Sequence, residues 1–220
     1  MTLRDFFEYA LELLFPPRCP FCRTLLREHE KDLCRKCAGS LPIVPESAES
    51  QSFRHIERCI SPLYYTGKVR ESLLRYKFGG LRIYARTYAA LMAERLEHRG
   101  LAFDVITWVP LSAKRLRTRG YDQARLLAEE IAKRFGIPCE RLLIKTTDTP
   151  AQSGTHSRRE RVTNVKGVYR PAALPMIRGK TILLVDDIVT TGSTLDECAR
   201  VLRQSGAKSV SAVTVARGAN

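Results

Sequence analysis

The sequence predicts an α/β fold, a mostly parallel sheet flanked by helices, preceded by a small cysteine-held module. Three observations predict it. Apolar strands at Asp104–Val109, Gly179–Val185 and Ser209–Val215 alternate with helical patterns, the order that builds a parallel sheet. Four of the seven cysteines form two C-x₂-C pairs near the N-terminus. The chain has 220 residues, 44% of them hydrophobic, enough for one ordinary α/β domain plus a small module. The net charge of +14 favours polyanions, meaning pyrophosphate groups, nucleic acid or acidic membrane surfaces, without choosing among them.

Leu3, Phe6, Phe7, Ala10, Leu13 and Leu14 recur at helical spacing, interrupted by Arg4, Asp5, Glu8 and Glu12. Those charges argue against a signal peptide or a transmembrane span, so the segment reads as a docking helix. Its polar face is mainly acidic, which disfavours a helix lying in a membrane interface. Cys19, Cys22, Cys34 and Cys37 follow, as CPFC and CRKC separated by eleven residues. Two such pairs suit a tetrahedral structural zinc with four thiolates. Disulfides or a redox pair compete, but no secretory segment supports an oxidising compartment, and two matched pairs argue against a lone redox site. The same features lead us to expect a cytoplasmic protein. His29 reads as a solvated loop residue, and Cys59, Cys139 and Cys198 as buried thiols. The helix and ribbon should occupy residues 1–44, with a linker over 45–59 centred on the polar PESAESQSF (Pro45–Phe53) and the main domain over 60–220.

In that domain, Ile60–Tyr65 looks extended, and Lys68–Phe78 and Ile83–Arg99 carry helical periodicity. Between them YKFGG, Tyr76–Gly80, is a turn containing Lys77. The strand ending at Val109–Pro110 opens the loop LSAKRLRTRGYDQA, where Lys114, Arg115, Arg117 and Arg119 crowd together with no acid among them. Such a cluster suits a pyrophosphate or nucleic acid, and a solvated basic loop is the plain alternative. Tyr121–Phe135 is an amphipathic helix stopped by Gly136. The polar stretch Thr147–Gly167, with Arg158, Arg159 and Arg161, is long for a connection and suits a lid or binding loop.

The most informative stretch is KTILLVDDIVTTGSTL, Lys180–Leu195. An apolar strand ends in Asp186 and Asp187. Adjacent residues of an extended strand face opposite ways, so the chain should turn there for both to reach one ligand. Carboxylates accept hydrogen bonds from hydroxyls and attract Mg²⁺. The loop Thr190-Thr191-Gly192-Ser193-Thr194 then offers backbone N–H groups and hydroxyls at a helix start, where an anion is favoured. Ser193 or Thr194 could instead serve only as helix caps. A diol-binding acid pair beside an anion cradle implies a ribose carrying a phosphate. No GxxxxGK[ST] or GxGxxG is present, so P-loop and dinucleotide readings are disfavoured, and with them a Walker B role for the acids.

DDIVTTGST resembles the signature of type I phosphoribosyltransferases, which bind phosphoribosyl pyrophosphate. The resemblance implies that Asp186 and Asp187 face the ribose hydroxyls and that the loop Val189–Thr194 (Val189, Thr190, Thr191, Gly192, Ser193 and Thr194) holds the 5-phosphate. It implies Mg²⁺ as a cofactor, Lys114, Arg115 and Arg119 on pyrophosphate, and Arg158 as a catalytic residue of the lid. The four-Cys ribbon, YKFGG, VPL, RGYDQA, a loop with Gln152, Arg158 and Asn164, and VDDIVTTGST together resemble the ComF/GntX family over nearly the whole chain. Two positions depart from it. Asp122 stands where members commonly carry Asn, and only Cys59 lies near the position of a second cysteine pair. The resemblance implies competence or carbon-source use, with single-stranded DNA and competence proteins as partners, and it admits a homodimer. Three activities stay open: a phosphoribosyltransferase, a single-stranded DNA-binding competence factor, and a sensor that binds without turnover.

Overall fold

The computed structural model describes residues 16–30, 32–48, 50–148 and 166–219. They form two compact units, one ending at Leu41 and the other beginning at Pro42. The docking helix read in residues 3–14 lies outside the described residues, as does 149–165 of the polar loop, with Gln152, Arg158 and Asn164.

The first unit is made of two cysteine turns. Cys19 N–H donates to Thr24 O (2.9 Å), and Arg23 N–H returns to Cys19 O (2.8 Å). Arg23 adopts a left-handed φ of 65° to close this turn. The second pair opens the single-turn helix α1 (Arg35–Ala38), where Ala38 N–H donates to Cys34 O (2.9 Å). Between the turns, the Glu30 carboxylate accepts from Arg27 N–H (2.9 Å) and Arg35 N–H (2.7 Å).

The second unit begins with β1 (Ser50–Phe53), β2 (Ile56–Ile60) and β3 (Leu63–Tyr64). Helices α2 (Gly67–Phe78) and α3 (Tyr84–His98) follow, then β4 (Val105–Trp108), α4 (Ala113–Arg119) and α5 (Gln123–Phe135). β5 (Leu143–Lys145), β6 (Tyr169–Pro171), α6 (Leu174–Ile177), β7 (Thr181–Val189), α7 (Ser193–Gln204) and β8 (Ser209–Arg217) complete it. The main sheet runs β1-β2-β8-β7-β4, with β3 also on β8; every pairing is parallel except β1–β2. β5 and β6 form a separate antiparallel pair. This is the mostly parallel α/β architecture that the strand–helix alternation predicts.

The segment read as a linker, 45–59, contains β1 and most of β2. β2 adds to the sheet through Cys59 opposite Ala212 and Ile60 opposite Val213. Strand β7 also runs further than the sequence suggests. The expected turn after the aspartates is absent because β8 continues alongside, pairing Ile188 with Ala216 and Val189 with Arg217.

The core follows from these runs. Ile182, Leu183, Leu184 and Val185 of β7 are fully buried, as are Val210, Ala212 and Val213 of β8. Because a strand alternates its faces, Ile182 and Leu184 pack with Leu195, Cys198 and Leu202 of α7 and with Leu143 and Tyr169. Helices α3 and α5 pack on each other and on β8 and β7, respectively. Their sequence stripes supply Tyr88, Met92 and Leu96, and Leu127 and Ile131, all buried. Helix α5 starts where the Asp122 side chain accepts Arg125 N–H (3.2 Å), and it stops at Gly136 with φ 66°.

Candidate functional site

Strand β7 carries Asp186 and Asp187 at the carboxyl edge of the sheet, where ligands of open α/β sheets bind. The extended backbone gives them different surroundings. Asp187 lies on the side of α2, and its Oδ2 is 2.9 Å from Lys77 Nζ. Asp186 lies on the side of Cys198 and Tyr169 and accepts Asp187 N–H at 2.8 Å through Oδ1. Burial first, then the Asp187 charge, push the Asp186 pKa up to about 8 against the opposing charge of Lys77. A half-buried carboxyl held this way gains from a cation or from hydroxyl donors.

Beyond β7 the chain turns at Gly192, whose φ of 74° makes it the left-handed residue before α7. A side chain could not stand there. An added Cβ would lie 2.0 Å from Cε1 of the Phe53 ring. Thr191 and Ser193 hydroxyls meet at 2.9 Å, and Asp196 N–H donates to Gly192 O at 2.8 Å. No side chain caps α7, so neither Ser193 nor Thr194 serves as its N-cap. Ser193 N–H reaches only Thr191 Oγ1, at 3.5 Å, and a helix start of this kind favours an anion. From the other side, the β1–β2 turn is fixed to α7: His55 N–H and Nδ1 meet the Asp196 carboxylate at 2.8 and 3.2 Å.

The YKFGG segment ends α2 and carries Lys77 to the aspartates. Two buried tyrosines hold it against the basic loop. Tyr76 O–H donates to Gln123 O at 2.9 Å, and Tyr121 O–H donates back to Tyr76 O. Gln123 Nε2 also reaches Lys77 O at 3.4 Å. The tyrosine rings pack edge-on or tilted, with Tyr76 centroids 5.3 Å from Tyr88 and 6.1 Å from Tyr121.

The basic loop folds as α4, capped by Ser112. Arg119 is half-buried, donates to Gln123 Oε1 at 3.0 Å and stacks 4.9 Å over the Phe78 ring. Burial lowers its pKa while the Asp187 charge raises it, which puts Arg119 on the Asp187 side of the crevice. Arg115 stands nearer Lys145 and Tyr169. Lys114 and Arg117 are exposed, and Lys114 faces the Asp148 carboxylate. Asp148 in turn accepts from Ser112 O–H. Asp122, the departure from the family pattern, bonds Leu111 N–H (3.3 Å) and Arg125 N–H. Those bonds ask only for acceptors, so its negative charge is locally accommodated, although burial raises its pKa.

Lys77, Lys145 and Tyr169 are contributors that the sequence does not mark as site residues. Lys77 is visible only as a lysine in a turn. Lys145 ends a three-residue strand, too short for a periodicity signal, and lies 5.6 Å from the Tyr169 ring centroid. Its pKa is lowered, first by burial and then by Arg115.

The four ribbon cysteines meet in space: their Sγ atoms all lie within 4.8 Å of one another, with Cys22 and Cys34 at 3.5 Å. A tetrahedron of Zn–S bonds near 2.3 Å has edges of about 3.8 Å, so the four fit a structural zinc. Among the described residues they form the one such group.

Comparison with known proteins agrees with both parts. The double zinc ribbon domain family matches residues 10–48, and the phosphoribosyl transferase domain family matches residues 122–220. A DNA utilization protein, YhgH, of Salmonella typhimurium is 30% identical over 87% of this chain and 86% of its own. Competence protein F of Haemophilus influenzae is 28% identical over 91% and 96%. Among solved structures, the glutamine phosphoribosylpyrophosphate amidotransferase from B. subtilis overlaps 59% of this chain and 26% of its own, at 26% identity and a TM-score of 0.40. With ribbon and transferase domains matched in succession, and likeness running along nearly the full length of such relatives, this chain belongs to the ComF/GntX family.

Proposed function

We propose that the crevice at the carboxyl edge of β7 binds phosphoribosyl pyrophosphate with Mg²⁺ and supports phosphoribosyl transfer. The observation that carries this reading is the acid pair of β7 set beside the Gly192 turn, where α7 begins without a side-chain cap. In it, Asp187 on the α2 side of β7 and Asp186 on the α7 side accept from separate ribose hydroxyls, the sugar lying across a strand that lacks the turn expected from the sequence, and Val189–Thr194 take the 5-phosphate. Lys77, Arg115, Arg119 and Lys145 neutralise the pyrophosphate as its charge develops. Arg158, outside the described residues, joins them from the polar loop. Asp186 and Asp187 would hold Mg²⁺ near the sugar, where it would supply positive charge to stabilise the departing pyrophosphate. The anomeric C–O bond breaks, a C–N bond forms to an incoming nitrogen, pyrophosphate departs, and the nitrogen gives its proton to solvent.

The chain's similarity to Competence protein F and YhgH extends the proposal to competence or DNA use. A specific observation favours a second reading. Lys114 and Arg117 are exposed on α4, where single-stranded DNA could meet them. One calorimetric titration tests the first reading: phosphoribosyl pyrophosphate into protein with and without Mg²⁺. Mg²⁺-dependent binding should weaken by on the order of a hundredfold or more in Asp186→Asn/Asp187→Asn, with zinc content unchanged. Equal affinity in that variant would refute the assignment. A pyrophosphate-release screen over bases, amines and DNA then separates transfer from binding alone.

A further inference from the structure

At the opposite edge of the sheet, the amino ends of β4, β7 and β8 enclose an open cleft of about 520 Å³. Ala102, Phe103, Asp104, Arg178–Thr181 and Lys208 line it. Thr181 and Asp186 are five residues apart on one strand, so the cleft lies about 16 Å from the acid pair.

Three cations, Arg178, Lys180 and Lys208, line this cleft and are exposed; none has an acid within ion-pair distance among the described residues. Asp104 is the acid of the lining, and its Oδ2 already accepts Thr181 N–H at 2.8 Å. The backbone beneath them is pinned. Gly179 N–H donates to Gly206 O (2.8 Å), Lys208 N–H to Lys180 O (2.9 Å), and Asp104 N–H to Thr181 O (2.8 Å). The Arg178 stem lies across Gly206, where a new Cβ would stand 3.2 Å from Arg178 Cγ. Three like charges held on a fixed rim repel one another, and this repulsion is relieved when phosphates enter. Phe103 is largely buried, so the cleft offers charge rather than a stacking platform for bases.

We infer that this cleft is a second anion site, independent of the ribose-phosphate crevice, that takes closely spaced phosphate groups without reading bases. Two sources carry that chemistry: a single-stranded nucleic acid backbone and a soluble polyphosphate. Fluorescence anisotropy with a labelled oligo-dT, titrated against salt, tests the first. Calorimetry with inorganic tripolyphosphate tests the second. Single-strand binding loses about 0.7 in its log–log salt slope per phosphate contact. Arg178→Gln/Lys180→Gln/Lys208→Gln should therefore lower the oligo-dT slope by about 2, while Lys180→Arg/Lys208→Arg keeps it. If only tripolyphosphate binding falls in the triple variant, the site stands and the soluble polyphosphate is its source. If both ligands bind the triple variant as they bind the wild type, or neither binds the wild type, the inference is overturned. Phosphoribosyl pyrophosphate binding should be untouched in all these variants, so this test succeeds or fails apart from the crevice.

Discussion

Asp186 turns its carboxyl toward the face of the sheet that carries Cys198 and Tyr169, and burial there, with the Asp187 charge beside it, raises its pKa from about 3.8 to about 8. Between those values the folded state holds a proton that the unfolded chain has released. The stabilising contribution of this group is complete below about pH 4 and is lost as pH rises towards 8. Asn cannot ionise and keeps the size of Asp. Asp186→Asn should therefore raise the stability of the ligand-free protein at pH 8 by on the order of a few kcal/mol, and leave it little changed near pH 4. Denaturant titrations at the two pH values check this, and equal stabilities at pH 8 would contradict it. If the same variant is more stable and also loses its sugar phosphate, failure to bind cannot be blamed on misfolding. This is the trade that a strained binding site implies. The acids themselves were legible in the sequence because they directly follow an apolar run, Ile182–Val185, of strand β7. Lys77 was not, since its partner Asp187 is distant in sequence and meets it only once Tyr76 and Tyr121 have bonded α2 to the basic loop.

Long elements were legible for a plain reason: β7, β8, α3 and α5 each repeat their apolar residues often enough to fix a period. The β1–β2 hairpin was not. Its sequence is polar, and its two apolar anchors, Phe53 and Ile56, have meaning only against α7 and the sheet. This hairpin reaches the Gly192 loop directly. Phe53 lies on Gly192, and His55 holds Asp196 on the first turn of α7. A loop that must present backbone N–H groups gains from being fixed before a ligand arrives, because ordering it later costs binding energy. Phe53→Ala removes that plate, so the loop should loosen more than the sheet does. Hydrogen exchange provides the measurement. The Asp196 amide, bonded to Gly192 O, should exchange on the order of tenfold faster, while Leu183 and Val213 keep their protection. Unchanged protection at Asp196 would show that the loop holds its shape without the hairpin. β5 and β6 escaped the sequence for another reason: each has three residues, and the chain between them is long.

At the scale of the whole molecule, the two compact units draw on different sources of stability. The unit from Pro42 onward closes a sheet whose central strands are buried on both faces, and its hydrophobic core is large enough to hold it. Among its described residues, the unit ending at Leu41 has a one-turn helix, two cysteine turns and few apolar side chains, of which Phe21 is buried. A module of that size cannot supply the burial that offsets chain entropy, so four thiolates on zinc must fold it. Metal removal should therefore act on one unit. Metal analysis should find about one zinc per chain, and Cys34→Ser should lose it. In that variant the amides of Cys19, Arg23 and Ala38, which are protected by the cysteine turns, should exchange freely. The amides of β7 and β8 should stay protected, and thermal unfolding of the α/β unit should shift by no more than a few degrees. Collapse of β7 and β8 protection together with the ribbon would mean that the two units fold as one. Retention of the cysteine turns without zinc would mean that something other than the metal holds them.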